Sequence, residues 1–259
     1  MTTASCVYLV GAGPGDPGLL TVKALELIQS ADVVVYDRLV TSEILSLIPR
    51  DVTRIYVGKK SGRHLIPQDE INALLVRLAG SHIKIVRLKG GDPFLFGRGG
   101  EEALYLARHG VTFEIVPGIT SASACSAYAG IPLTHRGIAR GVQFVTGHCR
   151  ADEPLDLDWP SLASEDMTLA VYMGLVNVQE IASRLIDAGR RPSTPVAIIE
   201  NGSPADQRSV MTTLVDLPDA VIRESVEAPA MIVIGSVVSL ANELNWFQFE
   251  YEPVIKKAN

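Results

Sequence analysis

Several things are scarce in this 259-residue sequence, and each scarcity excludes something. It has three cysteines, Cys6, Cys125 and Cys149, widely spaced and without a C-x-x-C pair, which argues against a disulfide framework and against a zinc site. Adjacent His148 and Cys149 have no further ligands at metal spacing, so no metal is expected. No uninterrupted apolar stretch approaches the length of a membrane span, and the N-terminus lacks the basic-then-apolar form of a signal peptide. The sequence therefore predicts a cytoplasmic protein with no membrane partner. Aromatics are only 6% of residues, the net charge is −6 and no basic run occurs, which disfavours nucleic acid as a partner.

What is present is organised. Residues 1–150 carry 16 Lys and Arg against 12 Asp and Glu, whereas residues 151–259 carry 7 against 17. A basic first half suits an anionic ligand; an acidic second half suits solubility. Short apolar runs alternate with amphipathic stretches, the pattern of α/β architecture. In the first half, strands are expected at 6–10, 33–36, 54–57, 83–88 and 113–116, with helices at 19–29, 42–47, 68–79 and 101–108. Pro67 precedes the third of these helices in a position that favours a helix start. A second series has strands at 143–146, 169–172, 196–199, 209–213 and 231–234, and a clear helix at 176–188 ended by Gly189. Two α/β domains with a cleft between them are the expected fold: 1–118, then 119–244 with its linker, then a loosely attached tail at 245–259. Ligands of such folds bind beyond the carboxyl ends of strands.

The first glycine loop, "GAGPGDPG", meets the dinucleotide fingerprint on paper, with Gly13, Gly15 and Gly18 in the glycine places and Asp37 where a ribose-binding acid would stand. Its chemistry opposes that reading. Pro14 and Pro17 each remove a backbone N–H, and Asp16 adds a carboxylate where phosphates would lie. With a charge-assisted hydrogen bond worth about 1.5–3 kcal/mol, the loss totals several kcal/mol. A stiff loop for a ligand without phosphate is what remains. The second loop, "RLKGGDPFLFGRGGEE", has no G-K-[ST] and so is not a P-loop, yet places two phenylalanines among glycines, as a ligand-covering loop does. In the third, "VPGITSASACSAYAGIPLTHRGIAR", Thr120 or Ser121 can cap a helix of small residues, and a polar loop with Thr134, His135, Arg136 and Arg140 follows.

Together "VGAGPGDPGLLT", "VVYDRLV", "VGKKSG", "KGGDPFLFGRGGEE", "PGITSASA", "PLTHRGIARG" and "VYMG" resemble the tetrapyrrole methylase family from about Val7 to Ser239. The joint presence of "YDRLV", "GRGGEE" and "THRG" resembles its uroporphyrinogen-III C-methylating branch. The resemblance implies the class III methyltransferase fold, a homodimer, and S-adenosylmethionine as methyl donor with S-adenosylhomocysteine released. It implies methylation of uroporphyrinogen III at two ring carbons, through precorrin-1 to precorrin-2, for cobalamin, sirohaem or haem d1 synthesis. On this resemblance Pro14, Gly90, Gly91, Asp92, Leu95, Thr120, Ser121, Met173, Gly202 and Ala230 contact the cofactor. Arg38, Lys59, Arg98, Arg136 and Met173 line the substrate pocket, the cations meeting its carboxylates, while Lys60, Arg63 and Arg140 form a rim.

Attack by the electron-rich macrocycle leaves positive charge on a pyrrole nitrogen, and a ring proton must later depart. A carboxylate can stabilise that charge, and a base can take the proton. Asp37, at a strand end, is the first choice for either role; the alternative is a turn or cap residue. Glu101, oriented by Arg98, is the second, against an ordinary first-turn helix acid.

Overall fold

The computed structural model describes residues 5–58, 66–148, 155–202 and 207–247. The chain forms two units, which part between Thr120 and Ser121.

The first unit holds β1 (Cys6–Gly11), α1 (Val22–Gln29), β2 (Val33–Tyr36), α2 (Ser42–Leu45), β3 (Thr53–Tyr56), α3 (Gln68–Ala79), β4 (Lys84–Lys89), α4 (Gly99–Arg108) and β5 (Thr112–Val116). Its sheet is wholly parallel in the order β3-β2-β4-β1-β5. Strands covered on both faces need apolar side chains in both directions, which is why β1 and β2 read as near-continuous apolar runs. Successive residues feed opposite cores. Val10, Val34, Val86 and Leu88 pack with Ala24, Ile28 and Ile44 of α1 and α2. Val7, Leu9, Val33, Val35 and Ile85 pack with Ile71, Leu75 and Leu106 of α3 and α4.

Helix α1 starts later than its apolar pattern suggests. Asp16 caps a single 3-10 turn at Pro17–Leu19, Leu20 is extended, and Thr21 Oγ1 then accepts the Ala24 N–H at 3.1 Å to begin the helix. Helix α4 starts earlier, at Gly99, because Arg98 turns left-handed (φ 59°) and Gly99 donates its N–H to Pro93 O at 2.9 Å. A Cβ at Gly99 would lie 2.3 Å from that same carbonyl, so only glycine fits.

The second unit holds α5 (Ser121–Tyr128), β6 (Gly141–Thr146), α6 (Trp159–Leu162), β7 (Met167–Tyr172), α7 (Val178–Asp187), β8 (Pro195–Glu200), β9 (Arg208–Thr213), α8 (Leu217–Arg223), β10 (Ala230–Ile234) and α9 (Ala241–Leu244). Its sheet runs β6-β7-β10-β8-β9, with β10 antiparallel to both neighbours. One face packs Ile181 and Leu185 of α7 and Leu217 of α8; the other packs Ala122 and Cys125 of α5 and Val237. Val176, expected in α7, belongs instead to a 3-10 turn at Leu175–Asn177. Gly189 ends α7 at φ 103°.

Arg190 is buried where β7 begins and β10 ends, and its hydrogen bonds go to backbone carbonyls. Its Nη1 donates to Leu162 O at 2.9 Å, and its Nη2 to Met167 O at 3.0 Å and Ile234 O at 3.1 Å. Burial pulls its pKa down to about 10, so the guanidinium remains charged at neutral pH. The start of the expected loose tail is attached: Trp246 Nε1 donates to Ala127 O at 2.8 Å, and the rings of Trp246 and Phe247 both meet Tyr128 at a tilt. An indole N–H and two aromatic faces give the segment partners that its lack of periodicity concealed.

Candidate active site

At the carboxyl edge of the first sheet the two glycine loops are bonded backbone to backbone. Gly13 N–H donates to Gly91 O at 3.1 Å and Gly91 N–H returns to Gly13 O at 2.7 Å. Gly118, just beyond β5, completes the junction: a Cβ there would stand 2.3 Å from Gly91 O and 2.7 Å from Gly11 Cα. Asp92 clasps it, with Oδ1 accepting from Phe94 N at 2.8 Å and Oδ2 from Gly118 N at 3.1 Å. Asp16 is 2% exposed and accepts the Gly18 N–H at 2.7 Å. Two of the three fingerprint glycines therefore spend their N–H groups inside the protein, and Asp16 puts a buried carboxylate beside them. Pyrophosphate would find the Gly13 and Gly18 N–H groups already engaged and a carboxylate beside them; a cofactor without phosphate meets no such obstacle. Pro14 sits in this loop, and Gly90, Gly91 and Leu95 in the other.

Asp37 follows β2. Its Oδ1 accepts the Leu39 N–H at 3.1 Å and its Oδ2 lies 3.3 Å from Arg87 Nη2. Behind it is a charge cluster that joins the two ends of the second-loop stretch, Arg87 and Lys89 at one end and Glu102 at the other. Arg87 Nε and Lys89 Nζ both donate to Oε1 of the fully buried Glu102, at 3.1 and 3.2 Å. Its other oxygen, Oε2, is buried with no hydrogen-bond partner among the described residues. Burial, and next the neighbouring Arg87 charge, pull the Lys89 ammonium below its ordinary value, against the attraction of Glu102 and Asp37. The signal that could have found the cluster is the two cations at i and i+2, Arg87 and Lys89, in the buried part of the strand "KIVRLK", beyond the half-buried Lys84 at its start. In a sheet covered on both faces they share a side and must find an acid there.

Arg98 and Glu101 form a two-point ion pair across the first turn of α4, Nε to Oε1 at 2.8 Å and Nη2 to Oε2 at 2.7 Å. Both side chains are more than half exposed. Arg38 is exposed after Asp37, and Phe94 and Phe96 are exposed on the second loop. Phe96, like Arg98, has a positive φ, 54°. Lys59, Lys60, Arg63 and Cys149 lie outside the described residues.

In the second unit one sheet edge collects the sites named from the sequence. Register places Thr146 beside Tyr172, Tyr172 beside Met231, and Ala230 beside Glu200. Met173 and Gly202 follow the carboxyl ends of β7 and β8, while Ala230 reaches the same edge from the amino end of β10 because that strand runs the other way. Met173 (φ 54°, half exposed) and Asn201 (φ 47°) are both left-handed, a conformation that non-glycine residues adopt seldom and that recurs at functional strand ends. Tyr172 Oη accepts the Ala122 N–H at 3.2 Å, tying the start of α5 to this edge beside Ser121. Arg136 is exposed on the turn closed by the His135–Ala139 bridge, and Arg140 pairs with Asp166 at 3.3 Å. Among the described residues no group of His, Cys, Asp and Glu is placed to hold a metal, and no helix is long and apolar enough to cross a membrane.

Fold and edge chemistry define a two-unit α/β protein whose first glycine loop is poorly suited to phosphate. Residues 6–218 match the family of tetrapyrrole (corrin/porphyrin) methylases, and the chain belongs to that family. It is 57% identical over 242 residues to a sirohaem synthase of Azotobacter vinelandii, covering 93% of this chain and 52% of the relative. The chain thus spans about half the length of the curated relatives it matches. A crystal structure of the uroporphyrin-III C-methyltransferase of Thermus thermophilus, complexed with S-adenosylhomocysteine, superposes with a TM-score of 0.77 at 44% identity, covering 91% of this chain and 100% of that one. A cobalt-precorrin-4 methyltransferase superposes at 0.79 with 31% identity, covering 90% of this chain and 95% of that one.

Proposed function

We propose that this chain methylates uroporphyrinogen III at C2 and then C7, giving precorrin-2 by way of precorrin-1. The observation that carries this reading is the match to the whole length of the Thermus enzyme at 44% identity. The loop chemistry agrees with it: a phosphate-free cofactor suits a glycine loop whose Gly13 and Gly18 N–H groups are already used.

S-adenosylmethionine, when bound, supplies an electrophilic methyl group. Pro14, Gly90, Gly91, Asp92, Leu95, Thr120, Ser121, Met173, Gly202 and Ala230 are the residues that would hold it. Asp92 does so through the loop it clasps, since both its carboxylate oxygens are engaged by N–H groups. Arg38, Lys59, Arg98 and Arg136 take the substrate's carboxylates, the arginines in two-point pairs and the lysine as a point charge. Asp37 faces the positive charge that develops on a pyrrole nitrogen or takes the ring proton, and Glu101, steered by Arg98, is the other acid for these tasks. Assembly as a homodimer, a cytoplasmic location and service to cobalamin, sirohaem or haem d1 synthesis belong to the same reading.

The test is incubation of the protein with uroporphyrinogen III and methyl-labelled S-adenosylmethionine. Two labels per macrocycle are expected; an unlabelled tetrapyrrole overturns the proposal. Label appearing only when a cobalt-precorrin is supplied would move the chain to another branch of the family.

A further inference from the structure

The buried charges of β4 have no part in the roles assigned above, yet they reach the reacting edge through one contact. Arg87 and Lys89 leave the same face of the sheet, the one packed by α3 and α4. Arg87 is 3% exposed and is held in three directions: Nε to Glu102 Oε1 at 3.1 Å, Nη1 to Leu88 O at 3.1 Å, Nη2 to Asp37 Oδ2 at 3.3 Å. Gln68 Nε2, at the start of α3, adds a bond to Glu102 Oε1 at 3.2 Å and another to Asn72 Oδ1 at 3.0 Å. A planar guanidinium pinned at Nε and Nη1 cannot turn in its plane, so the place of Nη2 is set from the interior. Asp37, fixed on its other oxygen by the Leu39 N–H, is thereby held at both oxygens.

Two physical points separate this arrangement from ordinary charge satisfaction. A buried ion pair is seldom more stable than apolar residues of the same volume, and the flanking positions of β4 are Ile85, Val86 and Leu88. Keeping Arg87, Lys89 and Glu102 among them therefore brings little stability. An arginine also does not release its proton at working pH, so the connection from Glu102 to Asp37 conveys position and charge but no proton.

We propose that Arg87 is a positioning residue for methyl transfer, acting through Asp37, with Glu102, Lys89 and Gln68 as the mount that holds it. This rests on the role given to Asp37 under the proposed function. Arg87→Lys keeps the charge and loses the fork. The expected result is a fall in kcat on the order of 100-fold, the scale of a small misplacement of a reacting group. KM for S-adenosylmethionine stays unchanged. Asp37→Asn is also slow, and the double variant is no slower than Asp37→Asn alone. Losses that multiply, wild-type kcat in Arg87→Lys, or full activity in Asp37→Asn each overturn the proposal. Should Arg87→Lys fail to fold, isosteric Glu102→Gln takes its place, with the same non-additivity expected. The 13C carboxyl resonance of Asp37, read without substrate, should move in either variant; an unmoved resonance overturns the mount. A wild-type chain that labels no tetrapyrrole overturns the proposed function instead, and the resonance still decides whether Arg87 fixes Asp37.

Discussion

Arg98 holds Glu101 by two parallel bonds, Nε to Oε1 at 2.8 Å and Nη2 to Oε2 at 2.7 Å, from a left-handed backbone position one residue before α4. The pair is more than half exposed on both sides, so water screens it and it contributes little to folding. Orientation of the carboxylate is what it provides.

Glu101→Gln should lower kcat for methyl transfer by about 100-fold, the lower range for loss of a general acid or base. Arg98→Ala should also slow transfer while changing the unfolding free energy by less than about 1 kcal/mol. Rates paired with denaturant titrations check both, and a large stability change in Arg98→Ala would make the pair structural.

Gly118→Ala should destabilise by about 1–3 kcal/mol, the cost of forcing a methyl group into packed surroundings. The added carbon would stand 2.3 Å from Gly91 O. At Gly100, in the first turn of α4, an added Cβ would meet no described atom within 4 Å. Gly100→Ala should therefore gain about 0.4–1 kcal/mol by restricting the unfolded chain. Urea unfolding of the two alanine variants should shift in opposite directions.

Acid should reveal Glu200. Burial raises its carboxyl pKa, but the Arg208 guanidinium, the Glu227 N–H and the Arg208 charge together outweigh burial and hold it below the ordinary value. A depressed carboxylate favours the folded state above its unfolded pKa, about 4.3, and that contribution disappears as pH falls through the folded value. Glu200→Gln should thus be less stable than wild type near pH 7, with the gap closing below about pH 4. Chemical unfolding at a series of pH values measures it.

Arg190 joins three carbonyls from separate segments, Leu162, Met167 and Ile234. Arg190→Met fills the space and leaves those oxygens without their donor, each worth about 1–3 kcal/mol when buried unpaired. Arg190→Lys should recover only part of the loss, because one ammonium cannot reproduce the fork. Melting temperatures in the order wild type, lysine, methionine are expected.

Much of the architecture is written locally. β2 is legible to the residue because "VVVY" is an apolar run between polar neighbours, and α3 because Pro67 and Gly80 bound it. α6 and α9, four residues each, are too short for a helical period to show, and α8 begins Leu217-Pro218 in a stretch without a clear apolar stripe. The direction of β10 is hidden as well, since a strand's apolar pattern is the same read either way. Among the candidate residues, Asp37 stands out at a strand end, Arg98 on a loop and Glu101 in the first turn of a helix. Arg87, Lys89 and Glu102 do not, because a charge in a sequence looks solvated until two helices are seen to close over it. In the sequence Asp16 is an obstacle to phosphate; the structure adds that it caps the Gly18 turn.

The glycine junction of residues 11, 91 and 118 carries a consequence for how this sequence can vary. A clash between two side chains can be relieved by shrinking either one. Here the obstructing atoms are the Gly91 carbonyl and the backbone of Gly11 and Gly118, which every amino acid possesses. No second substitution can make them smaller, so a side chain gained at Gly118 has no local suppressor and only reversion restores the junction.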